Sequence, residues 1–114
     1  MLMLDQIPRM CEELATCTLE ENRVVILKKI CDECTSVIRK RCSLNIRCFV
    51  VNSSESAMKY YDIATKARAF AKRAEKLNRD DYQASVIAFY ANVLAQKSLL
   101  LVDYYRKRET GSNE

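Results

Sequence analysis

From Arg9 to Thr110 the chain contains neither glycine nor proline; the single copies, Gly111 and Pro8, stand near its two ends. No motif constrains the fold as much as this absence does. A β-sandwich or an α/β domain needs several turns with positive φ, and glycine is the residue that adopts them without steric cost. Long helices joined by short loops free of glycine remain. Hydrophobic residues make up 49% of the chain and charged ones 30%, enough apolar surface to offset the entropy lost on folding. A length of 114 residues supplies one core and not two. The expectation is a single domain over residues 1–114, an all-α up-down bundle of about four helices.

Capping chemistry and apolar spacing place those helices. Asp5 stands as an N-cap with Pro8 in the first turn, and Ile7, Met10, Cys11, Leu14 and Cys17 recur every three or four residues, predicting a helix over roughly 5–17. Thr18-Leu-Glu-Glu21 fits a capping box opening a helix over 19–43, with Leu27, Ile30, Cys31, Cys34, Val37 and Ile38 as its apolar seam. Residues 43–51 mix β-branched and aromatic side chains and read equally as an extension of that helix or a buried extended connection. Asn52-Ser-Ser-Glu55 resembles a second capping box, for a helix over 54–77. Its inner positions are Ala57, Tyr60, Tyr61, Ala64, Ala67, Ala71, Ala74 and Leu77, and the alanines permit close approach of a neighbour. Asn78-Arg-Asp-Asp81 caps a last helix over 80–108, and residues 109–114 read as a frayed polar tail.

The last helix is apolar over an unusually wide arc. Val86, Phe89, Val93, Leu100 and Tyr104 form one face, and Ile87, Tyr90, Leu94, Leu101 and Tyr105 the adjoining one. Either this helix is central in the bundle or a second chain covers part of it. On the second alternative the partner-binding candidates are Tyr82, Phe89, Val93, Leu101 and Tyr105, facing an amphipathic helix or another copy of the chain. The stretch from Val86 to Tyr105 has the length of a membrane span, but Asn92, Gln96, Lys97 and Asp103 are costly in hydrocarbon, so no membrane span is expected. Met1–Ile7 lacks a basic segment followed by a long apolar one, which argues against a secretory signal and for an intracellular, cytoplasmic protein.

The chemistry-bearing residues argue against an enzyme. The chain has no histidine, which removes the commonest general base and metal ligand together with every Ser/His or Cys/His nucleophile pair. No glycine loop cradles a phosphate, and Asp80-Asp81 is explained by helix-start electrostatics. Six cysteines remain: Cys11, Cys17, Cys31, Cys34, Cys42 and Cys48. Cys31-Asp-Glu-Cys34 has the spacing of a zinc knuckle, but both cysteines fall on a helical seam, and the pair that would complete the site is separated by five residues. Small hydrophobic core residues are the favoured reading over zinc, disulfides or redox catalysis. No metal and no cofactor are expected.

Net charge is +4, from 19 basic and 15 acidic residues, which permits a nucleic-acid partner without demanding one. Arg68, Lys72, Lys76 and Arg79 follow one face of the third helix for about 16 Å, with Arg73 alongside. The stripe is a solvated face, a seat for an acidic protein, or, with Arg39-Lys40-Arg41 and Arg106-Lys107-Arg108, a surface that reads the shape and backbone charge of an RNA or DNA duplex. The six tyrosines have helical spacing, which places most of them in or beside the core rather than in a base-stacking ladder.

Ala71-Lys-Arg-Ala-Glu-Lys-Leu-Asn-Arg-Asp-Asp-Tyr-Gln-Ala-Ser-Val-Ile-Ala-Phe-Tyr90 resembles the first helical hairpin of microtubule-interacting and trafficking (MIT) domains, in which an alanine-rich helix, a short polar turn and a Tyr-x-x-Ala-x-x-x-Tyr helix follow one another. Tyr82, Ser85 and Phe89 occupy the last pattern here. The run from Val86 to Gln96 is also similar to the N-terminal module of the ESCRT-associated activators of a Vps-type AAA ATPase. The resemblance spans 57–96 at most and is closest over 71–96. It departs from the family in lying C-terminal, with a third helix left to the N-terminal half. It implies a trafficking adaptor whose interhelical groove accepts a short amphipathic helix, with Tyr82, Phe89 and Val93 as matching positions. The functional expectation is a non-enzymatic helical interaction module, possible homodimer or complex subunit, with duplex binding through the basic stripe as the alternative.

Overall fold

A computed structural model describes residues 2–41, 57–77 and 82–111, with side chains left undescribed at 2–5, 41, 77, 82–83 and 109–111. It contains four α-helices: α1 (Leu2–Thr16), α2 (Glu20–Arg41), α3 (Ala57–Leu77) and α4 (Tyr82–Gly111). The chain is an all-α bundle, and no strand occurs among the described residues. Residues 42–56 and 78–81, with both capping sequences read there, the starts of the third and fourth helices, and Cys42, Cys48 and Arg79, lie outside them.

Four boundaries differ from expectation, one being the end of α1 at Thr16 rather than Cys17. α1 begins at Leu2, so Asp5 is inside the helix rather than capping it, and Pro8 sits in the second turn. Leu2-Met3-Leu4 are helix formers that extend the helix backwards, while Pro8 removes a single backbone bond, to the carbonyl of Leu4. α2 begins one residue late: the Leu19 carbonyl accepts the amide of Arg23 at 3.0 Å, which puts Leu19, not Thr18, in the capping position. The turn is tied instead by Arg23, whose Nε donates to the Cys17 carbonyl at 2.9 Å, and Glu20 and Glu21 favour the positive helix end. α4 runs through Gly111, so the first part of the expected polar tail is helical.

The backbones approach closely in three pairs, α1 with α2, α2 with α4 and α3 with α4. α2 and α4 each take part in two of these pairs, and α4 is clasped between α2 and α3. Along α3 the ring of Tyr60 stacks on Tyr105 at 5.8 Å, and near its other end Glu75 accepts from Asn92 at 3.4 Å, so α3 and α4 are antiparallel. Lys28 lies 5.9 Å from the Tyr105 ring and the Cys31 thiol 3.7 Å from the Ser98 hydroxyl, so α2 is also antiparallel to α4 and runs in the direction of α3.

Sequence explains both interfaces. Ala64, Ala67, Ala71 and Ala74 of α3 and Ala84, Ala88, Ala91 and Ala95 of α4 are all buried, and without branched side chains the two backbones pack closely. Against α2 the fill is larger: Leu27, Ile30, Cys31, Cys34, Val37 and Ile38, the whole expected seam, are buried with Tyr90, Leu94 and Leu101. α1 contributes less, with Ile7 and Leu14 buried. The molecule is elongated, 51 × 26 × 20 Å. Ala84–Arg108 is long and apolar enough to cross a membrane by length and composition, and half of that window is buried inside the bundle.

Candidate helix-binding groove

Because α1 packs on α2 and α2 on α4, the α1–α2 hairpin and the C-terminal half of α4 leave an open groove between them, with a volume of 400 Å³. Leu14 from α1 and Val24 and Leu27 from α2 are its buried apolar residues. Leu100 and Tyr104 come from α4, one turn apart, and Leu100 keeps 45% of its surface exposed. Cys11, partly exposed, lines the α1 side. Charges rim this apolar strip: Glu20 and Arg23 on α2, Lys97, Asp103 and Lys107 on α4.

Tyr104 is held by its neighbours. Its ring meets Tyr105 edge-on at 4.9 Å, Arg108 lies 5.5 Å over it, and Arg108 Nη1 donates to its hydroxyl at 3.0 Å. Tyr105 in turn lies between Tyr60 and Lys28. The groove wall is thus fixed by a tyrosine cluster bridging α2, α3 and α4, which gives a rigid rather than an adaptable surface.

The candidate residues read from the sequence are dispersed. Leu101 is 0% exposed and Tyr105 is buried, both inside the monomer core, so neither presents a surface to a partner. The reason is the position of α4: with neighbours on two sides, most of its wide arc is satisfied within the chain. Phe89 stays 44% exposed, packed edge-on against Tyr90 at 5.3 Å, and Val93 is half-buried beside it. Tyr82 opens α4, and its side chain is not among those described. Leu100 and Tyr104 stand on the face predicted with Phe89 and Val93, but what α1 and α2 contribute to the groove has no local signature in the sequence.

On α3, Arg68, Lys72, Arg73 and Lys76 are exposed as the stripe requires. Tyr61, expected inside, is 51% exposed, and Ile63 takes the buried place. Cys31 and Cys34 are core residues; burial pushes the Cys31 thiol up to about 12 and raises that of Cys34 as well, which keeps both protonated and unreactive. All four described cysteines are free, and no group of three potential metal ligands occurs among the described residues.

A second groove, 470 Å³, lies between the outer faces of α1 and α2, with Met10 and Ile26 among Arg9, Glu13, Lys29, Asp32 and Glu33. Its dense, mixed charge makes it a poorer seat for an apolar face. Comparison with protein-family models, with curated proteins and with solved structures finds no match.

Proposed function

We propose that this chain is a non-enzymatic, intracellular interaction module in which the groove between the α1–α2 hairpin and α4 takes one amphipathic helix of a partner protein. The observation that carries this reading is Leu100. A leucine that keeps nearly half its surface in water, beside buried apolar residues and inside a charged rim, offers the partner an anchoring point at little cost in ordering. An amphipathic helix would insert apolar side chains spaced three or four residues apart along the groove and leave its polar face to the rim. The resemblance of residues 57–96 to MIT-type hairpins implies the same class of partner, an amphipathic helix, although none of those residues lines this groove. The absence of histidine from the chain supports the non-enzymatic part of the reading.

Selection of displayed amphipathic helices against the wild-type chain tests the proposal. The selected helices are expected to lose at least tenfold in affinity for Leu100→Glu and to bind Met58→Glu unchanged, because Met58 is exposed on α3, away from the groove. Equal binding to both variants refutes the assignment. Light scattering that shows a wild-type dimer dissociated by Leu100→Glu would give the groove to a second copy of the chain.

A further inference from the structure

We propose that the outward face of α3 is a second binding site, for the phosphate backbone of a nucleic-acid duplex. Three observations converge on it. First, α3 holds six basic residues against Asp62 and Glu75, a balance of +4; since the whole chain carries +4, the rest of the molecule sums to zero. The chain's entire net charge resides on this helix. Second, both acids are engaged: Asp62 pairs with Lys66 at 2.9 Å, and Glu75 accepts from Asn92 of α4 at 3.4 Å. Arg68, Lys72, Arg73 and Lys76 are left exposed, with no carboxylate paired to them among the described residues. Third, Tyr61 continues the line of Arg68, Lys72 and Lys76 at helical spacing, so a donor hydroxyl and three cations share one straight strip about 22 Å long.

A duplex presents one negative charge per about 1.7 Å of its axis, a rod of fixed charge that a straight cationic helix can follow without reading sequence. An acidic bilayer is the competing polyanion. An interfacial helix needs an apolar face to insert, and the apolar face of α3 is buried against α4. The apolar side chains left exposed on α3 are Met58, Tyr61 and Ala69, and only Tyr61 lies in line with the cations, which is too little apolar surface to insert into a bilayer.

Fluorescence anisotropy of a labelled DNA duplex of about 20 base pairs and arbitrary sequence tests the site. With three phosphate contacts, affinity is expected to fall about 40-fold between 50 and 200 mM salt. Arg68→Gln combined with Lys72→Gln is expected to weaken binding at least tenfold at the lower salt and to reduce the log–log salt slope by about 2. Arg39→Gln with Lys40→Gln makes the same change of net charge on exposed positions of α2 and is expected to leave both quantities nearly unchanged. The proposal is overturned by absence of duplex binding at 50 mM salt, by equal losses in the two double variants, or by binding to acidic phospholipid vesicles without binding to the duplex.

Discussion

Leu101 has no exposed surface, while Leu100, its neighbour in the chain, lines the groove and stays close to half exposed. Truncation separates their roles. Leu101→Ala removes atoms from a filled core and is expected to cost about 2–5 kcal/mol in urea unfolding, against less than about 1 kcal/mol for Leu100→Ala. Cys31 allows a test by pH. Its thiol ionises near 12 in the fold against an ordinary 9.0, because burial penalises the thiolate. Below pH 9 both states are protonated and the thiol's contribution is fully present; between 9 and about 12 only the unfolded chain ionises, so stability falls. The expected slope is about 1 kcal/mol per pH unit for this thiol. Unfolding free energies of Cys31→Ala measured from pH 8 to 11 should decline less steeply than those of the wild type. Tyr61 marks where residue-level reading misled. Two adjacent tyrosines both satisfy a helical apolar pattern, and which of them turns inward depends on the exact rotation of α3 against α4.

The α3–α4 pair depends on small side chains on both partners, and the α2–α4 pair on large ones facing a buried Ser98. Ala71→Leu is expected to destabilise by about 1–3 kcal/mol through overpacking, measured as a lower thermal midpoint, although leucine is itself a good helix former. Pro8 tests the other end of the chain. If α1 is helical from Leu2, Pro8→Ala restores a backbone bond and removes a steric clash, with a gain of up to about 3 kcal/mol in unfolding free energy. A helix starting only at Asp5 would show little change. The helix starts were the least legible features, because Asp5 and Thr18 have the right capping chemistry and the chain simply begins each helix elsewhere.

At the scale of the molecule, α4 is held from two sides and α1 from one. Native-state hydrogen exchange is therefore expected to give its lowest protection over residues 2–16 and its highest in α4, with Ile7→Ala lowering protection in α1 before that of the α3–α4 pair. The same asymmetry creates the groove: α1 rests on α2 without a close backbone approach to α4, so a strip of apolar surface stays open where a closed bundle would have covered it. A stretch as apolar as Ala84–Arg108 follows from this central position, since a helix clasped between two others buries more than one face.

Scarcity of glycine and proline, together with apolar spacing, was enough to determine an all-α fold, the four helices of the described residues, the buried seam of α2 and the alanine face of α3. These are local properties, set by backbone sterics and by a period of 3.6 residues. Tertiary structure alone decided which face of α4 meets which neighbour, that Leu101 and Tyr105 are core, that Tyr61 joins the basic strip, and that α1, α2 and α4 together line a groove. Periodicity shows that a helix has an apolar face and not what covers it. That depends on contacts between residues far apart in the chain, such as Cys31 and Ser98, which no local pattern records.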